Sequence, residues 1–108
     1  MAEFRIRKSV PETVRKGEVF EIKTLVTHPM DNGFMFGRDG KRIPRHIIHR
    51  FEAIYNGKTV FGADWHVAVS TNPYISFHAL AEESGTIEFR WHDDNGTVHV
   101  DSVYIQVI

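Results

Sequence analysis

The sequence predicts an all-β domain, an immunoglobulin-like β-sandwich of about seven strands. Three observations carry that prediction. Apolar and polar residues alternate at period two through most of the chain. Hairpin dipeptides fall between the alternating runs. No segment shows a helical repeat capped at both ends. A small closed barrel, which uses the same pattern, is the runner-up.

Taken in order, Phe4 and Ile6 alternate with Glu3, Arg5 and Arg7, which sets a first strand over residues 3–8. Lys16-Gly17 precedes a second run at 18–27, where Phe20, Ile22 and Val26 share one face. Asn56-Gly57 separates runs at 47–55 and 58–65, and both turn positions of such a hairpin need positive φ. A fifth run occupies 74–81. Ser84-Gly85 precedes the sixth, 86–93, with Ile87, Phe89 and Trp91 on one face. Asp94-Asn95-Gly96 then turns the chain into a last run at 97–107. There Val98 and Val100 have one parity, and Val103, Ile105 and Val107 the other. That change predicts a β-bulge or a sheet switch near Asp101-Ser102.

One segment breaks the rhythm. Residues 28–44 hold Pro29, Gly33, Gly37, Gly40 and Pro44, too many breakers for a regular strand. A loop of this length inside a small domain is expected to be functional or mobile.

The 108 residues suit a single domain over 1–108, with 42% hydrophobic and 25% charged residues. A net charge of -1 gives no overall pull toward nucleic acid or anionic membrane. No cysteine is present, which removes disulfides, thiolate metal sites and cysteine catalysis. No apolar run is long enough for a signal peptide or a membrane span, so no export signal of the chain's own is expected.

Each chemistry-bearing side chain also has a plainer role open to it. His28, Met30, Met35, His46 and His49 lie near one another in sequence, which suggests a copper site of imidazole and thioether ligands. However, His46 and His49 have opposite parity on an extended strand. His92 and His99 are placed to pair across the last hairpin. The favoured expectation is that the histidines are solvated or bond loop backbone, with no tightly bound metal and no cofactor. Ser9, Ser70, Ser76, Ser84 and Ser102 stand in no nucleophile elbow. Asp93-Asp94 sits in a turn, where Asp is favoured for backbone reasons. A small enzyme using His and Asp ranks below both the copper reading and a binding role, so catalytic residues are expected to be none. Arg38, Lys41, Arg42, Arg45 and Arg50 against Asp39 form a basic segment, while residues 82–101 are mainly acidic. Such a segment suits steering of an anion or an acidic face.

Several segments also resemble one family. Thr27-His28-Pro29-Met30-Asp31-Asn32-Gly33 is similar to the His-Pro-Met loop of the SoxZ proteins, and Gly40-Lys41-Arg42-Ile43-Pro44 to their Gly-Lys-x-Ile-Pro segment. Asn56-Gly57-Lys58-Thr59-Val60, Ser70-Thr71-Asn72-Pro73 with Phe77, and Trp91 with residues 93–96 follow in the family's order. Ile47 departs from the pattern where an aromatic is common, and His66-Val67 where Gly-Pro is common.

The resemblance implies an immunoglobulin-like fold and a non-catalytic role in thiosulfate oxidation. It implies a heterodimer with a SoxY-like subunit, whose cysteine-bearing C-terminal arm carries sulfur intermediates between periplasmic enzymes. It further implies transient contacts with those enzymes and export on the partner's signal. The expected partner-binding residues are His28, Met30, Ile43, Pro44, Ile47, Asn72 and Pro73, which lie in or beside the family-like loops. Arg38, Lys41, Arg42 and Arg45 are the expected anion-steering residues. Uncovered edges also leave self-association of the isolated chain open.

Overall fold

Alternation along the chain becomes eight strands in two sheets. The computed structural model describes residues 4–66 and 71–108. The strands are β1 (Ile6–Ser9), β2 (Thr13–Val14), β3 (Val19–Val26), β4 (Ile48–Tyr55), β5 (Lys58–Asp64), β6 (Tyr74–Leu80), β7 (Gly85–Asp93) and β8 (Val98–Val107). One sheet has the order β1-β3-β6 and the other β2-β8-β7-β4-β5. All pairings are antiparallel except β2 with β8, which is parallel. No helix is among the described residues. The sandwich expectation holds.

The two-residue β2 has no sequence counterpart. The N-terminal run leaves the first sheet at Ser9, passes Pro11, and joins the second sheet at Thr13. Proline has no N–H to give to a ladder, so it suits a crossing between sheets. Glu3, counted in the first run, and Ser70 lie outside the described residues.

The bulge expected near Asp101-Ser102 is absent. β7 and β8 stay in register from Gly85↔Ile105 to His92↔Val98. The odd-numbered residues of β8 face inward throughout, so His99 and Asp101 continue the phase of Val103 and Ile105. Val98 and Val100 are exposed. The apparent phase change arises because two inward positions are polar. Register shifts occur instead in β4, at Ala53/Ile54 against β5 and at Ile48/Arg50 against β7. The second leaves His49 as the extra residue, which lets Ile48 and Phe51 both face the core.

Between the sheets lie Ile22, Val26, Phe77, Phe51, Phe89, Trp91 and Ile105. Phe51 is the hub. Its ring lies 5.3 Å from Trp91, 5.9 Å from Trp65 and 5.9 Å from Phe77 across the sandwich. Aromatic pairs at such spacings add to area burial. Phe51→Ala is therefore expected to cost about 3–5 kcal/mol. Chemical denaturation would read this as a lower midpoint with unchanged slope; a loss under 1 kcal/mol would show that the hub repacks.

Candidate functional site

One end of the sandwich gathers residues far apart in sequence. The β3–β4 connection, residues 27–47, the start of β6 and the turn between β7 and β8 meet there. The connection contains no named strand, as its prolines and glycines predict, but it is not shapeless. Asp31 and His46 exchange two backbone hydrogen bonds of 2.9 and 2.8 Å. Further out, Phe36 bridges Arg42, Gly37 N–H reaches Lys41 O, and Ile43 N–H reaches Met35 O. The segment is a finger with a tied stem and a turn at its tip. At the stem, Gly33 has φ +86°, and an added Cβ would meet the Arg45 Cβ at 3.2 Å. Both features favour glycine there.

The stem folds inward through His28 and Met30. The His28 backbone N–H donates to Asn72 Oδ1 at 2.9 Å, and Asn72 N–H returns to His28 O. Met30 takes a left-handed φ of 50°, uncommon for its type, and its N–H donates to His28 Nδ1 at 3.0 Å. Its sulfur accepts Ile48 N–H at 3.2 Å. The His28 side chain is buried, only 4% of the residue being exposed, and its Nε2 has no hydrogen-bond partner among the described residues. Burial, and then the neighbouring His46, push its pKa below the ordinary value, while Asp93 opposes them.

Asp93 ends β7 and is also buried. Its Oδ1 accepts the N–H groups of Asn95 and Thr97 at 3.0 and 3.1 Å. Its Oδ2 lies 3.0 Å from His99 Nε2 and 3.5 Å from His46 Nε2. Burial pushes the carboxyl pKa up. Hydrogen bonds from His99, Thr97, His46 and Asn95 outweigh that and hold it below the usual carboxylate value. Phe4 stacks on the His99 ring at 3.8 Å, and the His28 and His46 rings meet edge to face at 4.6 Å. A cleft of about 390 Å³ opens onto His28, His46, Asp93 and His99, with Phe4 and Pro29 among its walls. Beside it, Asp94 accepts from Arg45 Nε at 2.8 Å and from Ile47 N–H at 3.2 Å.

This geometry corrects several expectations. Met30, Ile47 and Pro73 are buried rather than exposed for a partner, because the finger's stem closes over the end of the core. His28 is likewise buried, and Asn72, though exposed, spends its side-chain oxygen on His28. Ile43 is half-buried and Pro44 exposed. Arg38, Lys41 and Arg42 are exposed on the finger, whereas Arg45 is paired with Asp94. His92 does not pair with His99. It bonds Glu52 at 2.6 Å from the opposite face of its sheet. The copper set of His28, Met30, Met35, His46 and His49 does not assemble. The Met30 sulfur is engaged by backbone, Met35 is exposed, and His49 lies in a bulge beside His92.

Two features escaped the sequence reading. Histidines do converge, but His28 and His46 meet His99 around Asp93, a set spread over much of the chain. The second feature is Phe34, Met35 and Phe36, consecutive on the finger and 68%, 60% and 63% exposed. Three large apolar residues in a row, in a glycine-rich segment without alternation, were the available signal.

Among solved structures, the chain is similar to superoxide reductase (neelaredoxin) from Ignicoccus hospitalis, with TM-score 0.70 and 15% identity, covering 95% of this chain and 80% of that one. It is similar to a putative superoxide reductase from Thermotoga maritima, with TM-score 0.70 and 20% identity over 95% and 85% of the two chains. It also resembles the sulfur carrier protein SoxY from Chlorobium limicola, with TM-score 0.64 and 11% identity over 95% and 78%. Identities this low establish a shared sandwich and nothing finer. No curated protein matches the sequence. The family described as sulphur oxidation protein SoxZ matches residues 6–104, nearly the whole chain, a span that contains the segments singled out above, and the chain therefore belongs to the SoxZ family.

Proposed function

We propose that this chain is the non-catalytic subunit of a heterodimeric sulfur carrier in thiosulfate oxidation. Family membership supports the pathway. The observation that carries the docking role is the finger, which holds Phe34, Met35 and Phe36 out in solvent beside Arg38, Lys41 and Arg42. Arg42 lies over the Phe36 ring, 5.8 Å from its centroid. Exposed aromatics and Met flanked by Arg match the make-up of interface centres.

The shape agrees. The Cα radius of gyration is 16.1 Å and the extents are 57 × 20 × 19 Å. A compact chain of this length would have a radius of about 13 Å. An elongated sandwich has too little interior to cover its apolar side chains, and Tyr74, Leu80, Val100 and Tyr104 also remain exposed. In this reading the SoxY-like subunit covers the finger, its cysteine arm stays with that subunit, and the pair works in the periplasm after export together. Other thiosulfate-oxidation enzymes make passing contacts.

The finger can be tested without disturbing the fold, because its aromatic side chains contribute little to the core. Phe34→Asp with Phe36→Asp is expected to weaken the heterodimer by at least roughly 30-fold, as loss of about 2 kcal/mol at a hot spot does. Sedimentation of the co-expressed pair, alongside the variant's thermal midpoint, reads this. An intact heterodimer would remove the finger from the interface.

The basic side chains call for a kinetic test. Arg38→Glu with Lys41→Glu is expected to slow association by about tenfold at low ionic strength. The difference should vanish in high salt, where the Debye length shrinks to roughly 3 Å. Stopped-flow association rates across a salt series measure it. Equal rates at every ionic strength would reduce these residues to a solvated surface.

A further inference from the structure

We propose that the open edge of β6 is a self-association site, where two copies of this chain pair their β6 strands antiparallel about a two-fold axis at Phe77. This surface does not depend on the docking role of the finger.

The sheet edges are the first argument. The two sheets end in β1, β6, β2 and β5. An uncovered edge strand pairs readily with another chain, and folded proteins blunt it with shortness, charge or a bulge. The other edges carry such devices. β2 has two residues. β1 has four, among them Arg7 and Lys8, and Lys8 turns to Asp101 of β8. β5 opens on Lys58 and closes on Asp64, and its register against β4 leaves Val60 unpaired. β6 has none of these. It runs seven residues, Tyr74–Leu80, without Pro, Lys, Arg, Asp or Glu. Its register with β3 is unbroken from Leu80↔Val19 to Tyr74↔Leu25.

The backbone of β6 fixes which groups are open. Val26 N–H reaches Pro73 O, and Ala81 N–H reaches Glu18 O, so the odd-numbered residues turn their peptide groups toward β3. Tyr74, Ser76, His78 and Leu80 turn theirs to the outer edge, where no described strand pairs with them.

The sequence of the strand selects a second copy as the occupant. With Phe77 on the axis, Ser76 lies opposite His78 of the second copy and Tyr74 opposite its Leu80. These are hydrogen-bonded pairs, so about eight backbone hydrogen bonds form. A slip of one residue would set outward side chains against inward ones. A slip of two would part Tyr74 from Leu80. Both are exposed, at 58% and 48%, and the centred register brings them together at each end. Leu80 also walls a cleft of about 240 Å³ with Val60, Glu82 and Glu83, so the arriving tyrosine meets apolar surface and acceptors for its hydroxyl. Charge agrees. Glu82 comes opposite Asn72 of the second copy, which shares a cleft with Arg5 and Arg7. At ~3.4 Å per residue β6 is about 24 Å long. Across a molecule 20 Å wide that is a footprint of roughly 480 Å² per copy, below the ~800 Å² of a standard interface, so the pairing is reversible. Asn72, at the head of β6, ties the finger's stem, so antiparallel pairing sends the two fingers to opposite ends.

Sedimentation equilibrium of the full chain without an affinity tag, over about 1 μM to 1 mM, tests this. A monomer–dimer equilibrium is expected within that range. Amide exchange read by NMR should slow at Ser76 and His78 as concentration rises. Ser76→Pro removes an N–H that faces away from β3. It should keep the monomer folded, by thermal midpoint, and weaken the dimer at least about tenfold. Tyr74→Lys with Leu80→Lys sets like charges opposite one another and should weaken it similarly, whereas Tyr74→Lys with Leu80→Glu should recover most of the loss. This charge pair decides the matter if Ser76→Pro does not fold. Phe34→Asp with Phe36→Asp should leave self-association unchanged. A monomer at every concentration, or a dimer indifferent to the charges at Tyr74 and Leu80, overturns the proposal. So does a Ser76→Pro chain that loses the heterodimer and keeps the homodimer, which would give the edge to a strand of the other subunit.

Discussion

A buried carboxylate holds this end of the sandwich together. Taking Asp93 out of water costs several kcal/mol unless its charge is met by donors. Four meet it. Two are the backbone N–H groups of its own turn, and two are the rings of His99 on β8 and His46 on the returning loop. Closing the β7–β8 turn therefore also fixes where the long loop must come back. Asp94, next in the chain, repeats the device toward solvent, accepting from Arg45 and from Ile47 N–H. Two adjacent acids of one turn thus anchor both the buried and the exposed side of the loop's return.

That anchoring explains how a proline- and glycine-rich loop presents a surface. The finger's stem is tied by the Asp31–His46 bridge and its tip by the Gly37–Lys41 hydrogen bond. Side chains on a braced support lose less conformational freedom on docking than side chains on a loose loop. Phe34, Met35 and Phe36 sit between those two ties. His46 belongs to both halves. Its backbone closes the stem and its ring faces Asp93.

Strands were legible because period two is a local signal, and the turn dipeptides marked nearly every boundary. Signals failed where the deciding contact was distant. β2 is two residues pairing with the far end of the chain, which no local pattern announces. His99 and Asp101 were misread because a polar residue at an inward position mimics a change of phase. There His99 meets Asp93, and Asp101 meets Lys8 of β1. The misplaced bulge was thus a trace of the inward turn of His99 toward the histidines of the loop. Met30 and Ile47 looked like surface residues because they flank a loop. The stem of that loop turns into the core, and the bulge at His49 buries Ile48 as well. Family motifs located the loops correctly but not the direction of each side chain.

The same sandwich serves proteins named as superoxide reductases and as a sulfur carrier, at identities of 20% or below. The sheets alone therefore do not select a function. What can select it are the side chains at the end of the sandwich, and here they divide by depth. The buried layer is imidazole and carboxylate, already oriented and short of one acceptor at His28 Nε2. The outer layer is aromatic and cationic, with no acidic residue but Asp39 among residues 34–45. Asp39 spends its side chain on the Lys41 N–H of the tip turn. A protein partner meets the outer layer first, and only a small ligand can reach the inner one through a cleft of about 390 Å³. The two layers share the stem residues 28–33 and 45–47, so a substitution there disturbs both, whereas changes at Phe34 and Phe36 touch only the outer one.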